Sequence, residues 1–293
     1  MRLALPFGVL LLAGAACSRP QGMWRDQYVF IADDGTVVPV GVLRWSSGRA
    51  EAKGWLGEQG TWRTNFYRRF PISHAGGPDA ARALSILSRS RGAAARISLD
   101  RQGAGAELRL RTPTELLTLN ADALAPLGET VDPEGTSVYL GGRARLRNGS
   151  QTKDGWMLVE ETPPDRPREA FTGYGDFVFL VVAHPERGLV VAKHSADRAD
   201  FDHALLHGDD SDERSSDIRV SRGHTSFQIA LPELSLSTRL EIRDRERTEG
   251  TAPDGTPVTY EALLLGGDFA GVAFTIRPTP PTTLDPSEGE TLR

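Results

Sequence analysis

Two histidines and a run of acidic residues between positions 194 and 213 have the clearest potential for chemistry. His203 and His207 are four residues apart, which would place both imidazoles on one face of a helix. With a carboxylate from this run they could hold zinc, although the sequence lacks the HExxH motif and any nearby cysteine ligand. The alternative is a solvated acidic loop with surface histidines, which charge runs usually form. The sequence favours that loop, so we expect no bound metal and no resident cofactor.

A second candidate for chemistry is the pair Glu160-Glu161, close to Trp156. A carboxyl buried against the indole ring could act as a general acid with a raised pKa. Adjacent strand residues point to opposite faces, so only one of the two can face a cavity. Because glutamate is rarely buried without a partner, we favour a solvent-facing strand end. The sequence contains no nucleophile elbow, phosphate-binding loop or dinucleotide fingerprint, which leaves Glu160 as a candidate for catalysis beside the His203 and His207 pair.

Aromatic residues are concentrated near the start of the chain, where four of the five tryptophans lie. Such a density could line a cavity for a lipophilic ligand in a β-barrel. The alternative is a packing core, because large aromatic side chains dominate β packing. The candidate ligand-binding residues are Tyr28, Trp45, Trp55, Trp62 and Trp156.

The first eighteen residues predict where the protein works. Arg2 precedes a short apolar run, and small residues lead into Cys17, the only cysteine of the chain. This is the layout of a secretory signal peptide, and its end resembles a bacterial lipobox, in which the cysteine is lipidated. The run is shorter than the ~20 apolar residues that span a bilayer. The alternative is an ordinary cleaved signal peptide, with Cys17 discarded or left free.

Lipidation of Cys17 implies a location in the cell envelope. The acyl chains would anchor the protein stably in a membrane, and Ser18 in place of an aspartate favours the outer membrane, facing the periplasm. The net charge of −5 offers no basic surface for nucleic acid. The expected partners are therefore the membrane, through the lipid anchor, and a lipophilic small molecule, with no nucleic acid.

Alternation of apolar and polar residues predicts a mainly antiparallel all-β fold. Hairpins are predicted around the turn 33–36 and at Asn148-Gly149, the strongest short hairpin signal. One helix is predicted over Pro78–Arg89, which has proline at its first position, an acid in its first turn and Gly92 past its end. A weaker helix is predicted over Phe201–Leu206.

Prolines and glycines cluster at residues 126–135 and indicate a boundary between two β halves. The predicted organisation is a signal peptide over residues 1–16, a lipidated tether over 17–23, β halves over 24–130 and 131–277, and a disordered Pro-rich tail over 278–293. The tail has little apolar surface to bury.

Three segments, Tyr139–Leu146, Asp154–Glu160 and Phe177–Gly188, resemble a known superfamily. Their order resembles that of the tandem lipocalin-like proteins. It consists of a strand and turn, a Gly-aromatic pair with a following glutamate, and an aromatic strand with a polar turn. These include carotenoid 1,2-hydratases and AttH-like secreted proteins. The resemblance covers residues 24–66 and 105–195 and implies two lipocalin-like β-barrel or sandwich halves, with a ligand site between or within them. The acidic-aromatic motif of the hydratases has no aromatic counterpart at Val159-Glu160-Glu161-Thr162, so no catalytic residue is carried over.

Three functions follow as hypotheses. The first is an envelope lipoprotein that binds a lipophilic or amphipathic small molecule without catalysis. The second is an envelope enzyme with hydratase-like or metal-assisted activity at Glu160 or at His203 and His207. The third is an envelope assembly protein that binds another protein through its sheet edges or loops. A solid core with exposed apolar patches would favour the third.

Overall fold

The computed structural model describes residues 23–45, 49–71, 83–86, 97–100, 105–111, 116–132, 135–162, 177–196, 199, 202–208, 212–251 and 256–279. Their strands form two antiparallel sheets. The first sheet contains the strands up to Thr162, and the second contains those from Phe177 onward. The predicted all-β fold with two halves is therefore confirmed.

The first sheet has eleven strands: β1 (Met23–Ala32), β2 (Val37–Trp45), β3 (Arg49–Glu58), β4 (Thr61–Pro71), β5 (Ala83–Ile86), β6 (Ile97–Asp100), β7 (Ala106–Arg111), β8 (Leu116–Ala121), β9 (Ala125–Asp132), β10 (Gly135–Asn148) and β11 (Gln151–Thr162). Their order is β4-β3-β2-β1-β11-β10-β8-β7-β6-β5, and β9 also pairs with β10. Both predicted hairpins are present. Gly149 has a φ of +59°, the left-handed conformation that the tight turn between β10 and β11 requires.

The second sheet has nine strands: β12 (Phe177–His184), β13 (Gly188–Ser195), β14 (His203–His207), β15 (Asp212–Ser215), β16 (Arg219–Arg222), β17 (Ser226–Leu231), β18 (Leu236–Thr251), β19 (Pro257–Gly266) and β20 (Ala270–Pro278). Their order is β15-β14-β13-β12-β20-β19-β18-β17-β16. A 3₁₀ turn, Pro232–Leu234, precedes β18.

The two sheets share one topology. Strands mostly pair with their neighbours in sequence, and the first strand of each sheet pairs with the last, β1 with β11 and β12 with β20. The edge strands β15 and β16 are joined by residues 216–218 alone, so the second sheet must curl to bring its edges together. Antiparallel strands that follow one another in a curled sheet form the up-and-down arrangement seen in small β-barrels, although β15 and β16 do not pair with each other among the described residues.

Side-chain alternation divides the buried apolar residues into three cores. On β1, Val29 and Ile31 face the second sheet, whereas Tyr28 and Phe30 face the inside of the first. Strand β12 alternates in the same way. We call the shared cluster the interface core; it includes Val29, Ile31, Trp55, Tyr139, Trp156, Leu158, Phe179, Val191, Tyr260, Leu264 and Phe274. Each sheet also encloses an inner core made of its own residues, which a flat sheet could not provide.

Both helix predictions are wrong where the structure describes them. Within Pro78–Arg89, residues 83–86 form strand β5, which pairs with β6; the rest of that segment lies outside the described residues. Within Phe201–Leu206, residues 203–206 belong to β14, which pairs with β13 and β15. Leu205 faces the interface core and Leu206 the inner core. This two-sided burial suits a strand, and tertiary pairing overrides local helix propensity.

The change of sheet does not coincide with the predicted division at residues 130 and 131. Strands β9 and β10 lie on either side of that position and pair with each other within the first sheet. The prolines and glycines there mark irregular pairing inside the sheet, including a register shift at Tyr139 and Leu140. Cys17, the signal peptide, the predicted tether up to residue 22, and the tail from residue 280 onward lie outside the described residues, whereas Met23 begins β1. Within the described part of the chain, no helix is long and apolar enough to cross a membrane.

Candidate ligand site between the two sheets

Polar side chains form one row across the interface face of the first sheet. The strand register places Lys53 opposite Gly41, Gly41 opposite Gln27, Gln27 opposite Glu160, and Glu160 opposite Tyr139. Alternation along each strand puts these positions on the same side as the interface core. We call Lys53, Gln27, Glu160 and Tyr139 the polar row. Gly41 leaves its position in the row without a side chain.

The second sheet places its own register row opposite the polar row. Here His203 pairs with Lys193, Lys193 with Phe179, and Phe179 with Phe274, and the row continues through Ala262 to Glu246. Its two ends carry charge and its centre is apolar. Cations and anions therefore meet at both ends of the interface, with aromatic rings between them.

A buried ion pair joins the two sheets at one end of the row. Lys193 Nζ lies 2.8 Å from Glu160 Oε1, and each side chain is only 1% exposed. The ammonium also lies 5.6 Å from the ring centre of Tyr139 and 5.8 Å from that of Phe179. A solvent-facing Glu160 was the wrong interpretation, because it did not allow for a lysine from the other sheet. A charge pair taken this far from water is expensive and needs close geometry.

Tyr139 extends this pair towards the protein surface. Its hydroxyl donates to Glu160 Oε1 at 3.3 Å and lies 3.2 Å from Nε2 of His203. Burial and the negative charge of Glu160 raise the pKa of Tyr139, so its hydroxyl stays protonated. Because the hydroxyl has one proton, its donation to Glu160 requires His203 to donate from Nε2. His203 is only half-buried. The chain of contacts from Lys193 through Glu160 and Tyr139 to His203 therefore leads from the buried interface towards solvent.

Three polar groups on the interface are buried without a hydrogen-bond partner among the described residues. Gln27 is 1% exposed, and both its amide nitrogen and its amide oxygen lack a partner there. The same holds for Trp62 Nε1 and Ser195 Oγ. Each such group costs about 1–3 kcal/mol unless water or a ligand satisfies it. Gln27 stands beside the side-chain gap at Gly41, which makes it the most informative of the three.

Lys53 occupies the other end of the polar row. Its ammonium lies 5.0 Å from the ring centre of Trp55. Burial lowers the pKa of Lys53 to about 8, an effect that the charge of Glu246 partly opposes. Nearby, the backbone N–H of Trp62 donates to Asp244 Oδ2 at 2.8 Å, which joins the two sheets at this end as well.

The structure brings some of the predicted aromatic residues together and separates others. Trp55 lies 5.9 Å from Trp62 and 6.4 Å from Phe274, measured between ring centres, and Phe274 stacks on Phe179. Trp156 also faces the interface, where its ring meets His207. Tyr28 lies on the opposite face of the first sheet, in its inner core. The side chain of Trp45 lies outside the described residues.

His203 and His207 share one face of β14 but do not converge on a metal. His203 contacts Tyr139, and His207 Nδ1 lies 2.5 Å from Asp212 Oδ1. In the part of the chain that the structure describes, no group of three potential ligands could hold a metal ion. The spacing of four residues suggested zinc because it brings two side chains together on a helix. These residues lie on a strand, where the same spacing places their side chains much farther apart.

Sequence reasoning did not select Lys193, Tyr139 or Gln27 as site residues. Lys193 continues the interface-facing alternation of Leu189 and Val191. A lysine at such a position interrupts an apolar pattern, and this interruption is the sequence signal that could have identified Lys193 as a site residue. The grouping of these residues depends on strand register and on the packing of two sheets, neither of which their own sequence segments specify.

Comparisons with known proteins identify the fold. No protein-family model and no curated protein matches the chain. Among solved structures, CghA superimposes with a TM-score of 0.51 at 12% identity, covering 89% of each chain. Kievitone hydratase from Nectria haematococca gives 0.48 at 8% identity, covering 90% of this chain and 93% of its own. An AttH-like protein from Nitrosomonas europaea gives 0.47 at 12% identity, covering 91% and 98%. At these identities the likeness concerns the fold alone, and CghA shares that fold over most of both chains.

The substitution Lys193→Met tests the buried ion pair. It leaves the carboxylate of Glu160 buried without its cation, so we expect the free energy of unfolding to fall by about 3–5 kcal/mol in urea denaturation at pH 7. The double variant K193M/E160L should recover most of this loss, because it removes both charges. Arg145→Met, which breaks the exposed pair with Asp154, should cause no measurable change. A K193M variant as stable as the wild type would contradict the pairing.

The lowered pKa of Lys53 predicts a pH dependence of stability. Between its pKa of about 8 in the folded state and its higher value in the unfolded state, the unfolded chain binds more protons. Stability contributed by Lys53 therefore rises as the pH rises through this window. We expect the difference in unfolding free energy between wild type and Lys53→Met to shift in favour of the wild type above pH 8. A difference that does not change with pH would show that Lys53 is not desolvated.

Proposed function

We propose that this protein is a lipocalin-like binding protein of the bacterial cell envelope, anchored through lipidated Cys17. Its ligand is a lipophilic or amphipathic small molecule that lies between the two sheets. The single observation that carries the proposal is the amide of Gln27, buried on the interface without a partner among the described residues. Ligand sites commonly combine apolar walls with a few such polar groups.

The surroundings of Gln27 indicate the chemistry of the ligand. On the same interface, the aromatic rings of Trp55, Phe274 and Phe179 lie together and would supply the apolar wall of the ligand site. The amide can both donate and accept, so it suits a carbonyl or hydroxyl group. Glu160 and Lys193 neutralise each other across the interface. These contacts support an uncharged molecule with an apolar body and one polar group.

Native mass spectrometry of the full chain, purified from its own envelope, tests the binding function. We expect a lipophilic molecule at near-stoichiometric amount on the wild type. Gln27→Leu should reduce its occupancy about tenfold or more, because the amide no longer meets its polar group. The matched control Gln228→Leu, at an exposed position on β17, should keep the ligand. An empty wild type, or equal occupancy in Q27L, would refute the proposal. The intact mass also tests whether residues 1–16 are absent and Cys17 is acylated.

A second candidate function is hydratase-like acid–base catalysis at the same interface. It is favoured by the hydroxyl of Tyr139, which stays protonated and lies between Glu160 and His203. Hydration of a carbon–carbon double bond adds a proton to one carbon and hydroxide to the other. Tyr139 could deliver the proton, and half-buried His203 could replace it from water, which also supplies the hydroxide.

The extracted ligand distinguishes binding from catalysis. Incubated with the wild type, a substrate should gain the mass of one water, and Tyr139→Phe should slow this gain at least a hundredfold. Unchanged mass after incubation with wild-type protein would leave the binding function and exclude hydration of that ligand. Unfolding curves of Y139F verify that the variant is folded.

A further inference from the structure

A separate polar cavity lies inside the second sheet, on the face away from the interface. On β19, Tyr260 and Ala262 face the interface core, so Glu261 between them points inward. Thr275 alternates in the same way between Phe274 and Ile276 on β20. The cavity has a volume of about 400 Å³, within the range of small-molecule sites.

Three arginines surround the buried carboxylate of Glu261. Arg222 Nη2 lies 2.6 Å and Arg277 Nη2 3.0 Å from Glu261 Oε2, and Arg245 Nη1 lies 3.6 Å from Oε1. Thr275 also donates to Oε2, at 3.3 Å. One carboxylate cannot neutralise three guanidinium groups, so this cluster has two positive charges in excess.

The three arginines also line the cavity, together with His194 and His224. No aspartate or glutamate is among the described residues that form its wall. Its remaining wall is largely apolar, from Phe177, Val178, Ala196 and Val220. Arg277 Nε is buried without a hydrogen-bond partner within the described residues. The N–H group of Arg277 Nε thus remains available to a ligand after the arginines have made their hydrogen bonds to the carboxylate of Glu261.

Electrostatics agree with this excess of positive charge. Burial opposes ionisation of Glu261, but the hydrogen bond and charge of Arg222, with the charges of Arg277 and Arg245, outweigh it and lower its pKa. Burial lowers the pKa of Arg222, and the charges of Arg277 and Arg245 lower it further, against the effect of Glu261. The chain as a whole has a net charge of −5, so the positive charge of this site is opposite in sign to the net charge of the protein.

We infer that this cavity binds an amphipathic organic anion, with a carboxylate group on Arg222, Arg245 and Arg277 and an apolar body against Phe177, Val178 and Val220. Guanidinium groups match planar carboxylates by paired, charge-assisted hydrogen bonds. The site is distinct from the proposed ligand site, because its arginines lie on the opposite face of the second sheet from Lys193 and Phe179, although Phe177 at the end of β12 also belongs to the interface core. It does not depend on that function.

Isothermal titration calorimetry of the full chain with octanoate tests the inference. At fixed ionic strength, the Q27L variant, in which the proposed interface site is impaired, should bind octanoate and should not bind octanol, which has the same apolar body without the charge. Arg277→Gln should weaken binding about tenfold or more. Arg219→Gln removes the same charge from β16 at an exposed position and should bind as the wild type does.

Two further variants separate electrostatics from structural damage. Glu261→Gln removes the competing carboxylate and should bind octanoate at least as tightly as the wild type. Q27L, which alters only the interface, should also bind it as the wild type does. The inference is overturned if octanol binds Q27L as octanoate does, if R277Q and R219Q behave alike, if E261Q loses binding together with R277Q, or if Q27L abolishes octanoate binding.

Discussion

The structure depends on one constraint: the central strands of both sheets are buried on both faces. Strand β1 sends alternate residues into the interface core and into the inner core of its own sheet, and β12 does the same. Apolar burial on two sides fixes the register of these strands, since a shift by one residue would exchange their two faces. Every group of the polar row takes its position from that register.

Polar groups on such a face are exceptions with a physical cost. The interface core is lined by aromatic and aliphatic residues, yet it holds Lys193, Glu160 and Gln27. Packing alone would be served as well or better by apolar side chains of similar size. The proposed ligand site therefore rests on these buried polar groups, which reduce stability, and not on a local motif in the sequence. The arginine cluster around Glu261 is a second group of charged residues on an otherwise apolar face, on the inner side of the second sheet.

The sequence could predict most of the strands because their signals are local. Alternation identified β7, and Asn148-Gly149 identified the hairpin between β10 and β11. The sequence predicted helices where the structure has β5 and β14. Their short segments have helical spacing, but pairing with neighbouring strands holds them as strands. The site could be predicted only in part. Glu160 was a candidate, but its partner Lys193 comes from the other sheet, and no local pattern relates the two positions.

The closure of each sheet by its first and last strands has a consequence for how the chain folds. Tyr28 pairs with Val159, and Phe179 pairs with Phe274, so the central strands find their partners only when the rest of their half is already in place. Contacts between such distant positions make folding slow. Until closure, β1 and β12 each expose one unpaired edge and two apolar faces, the features that promote aggregation of incomplete chains. The first half ends at Thr162 before β12 begins, so it can close as a unit and then offer its finished interface face as a template for the second.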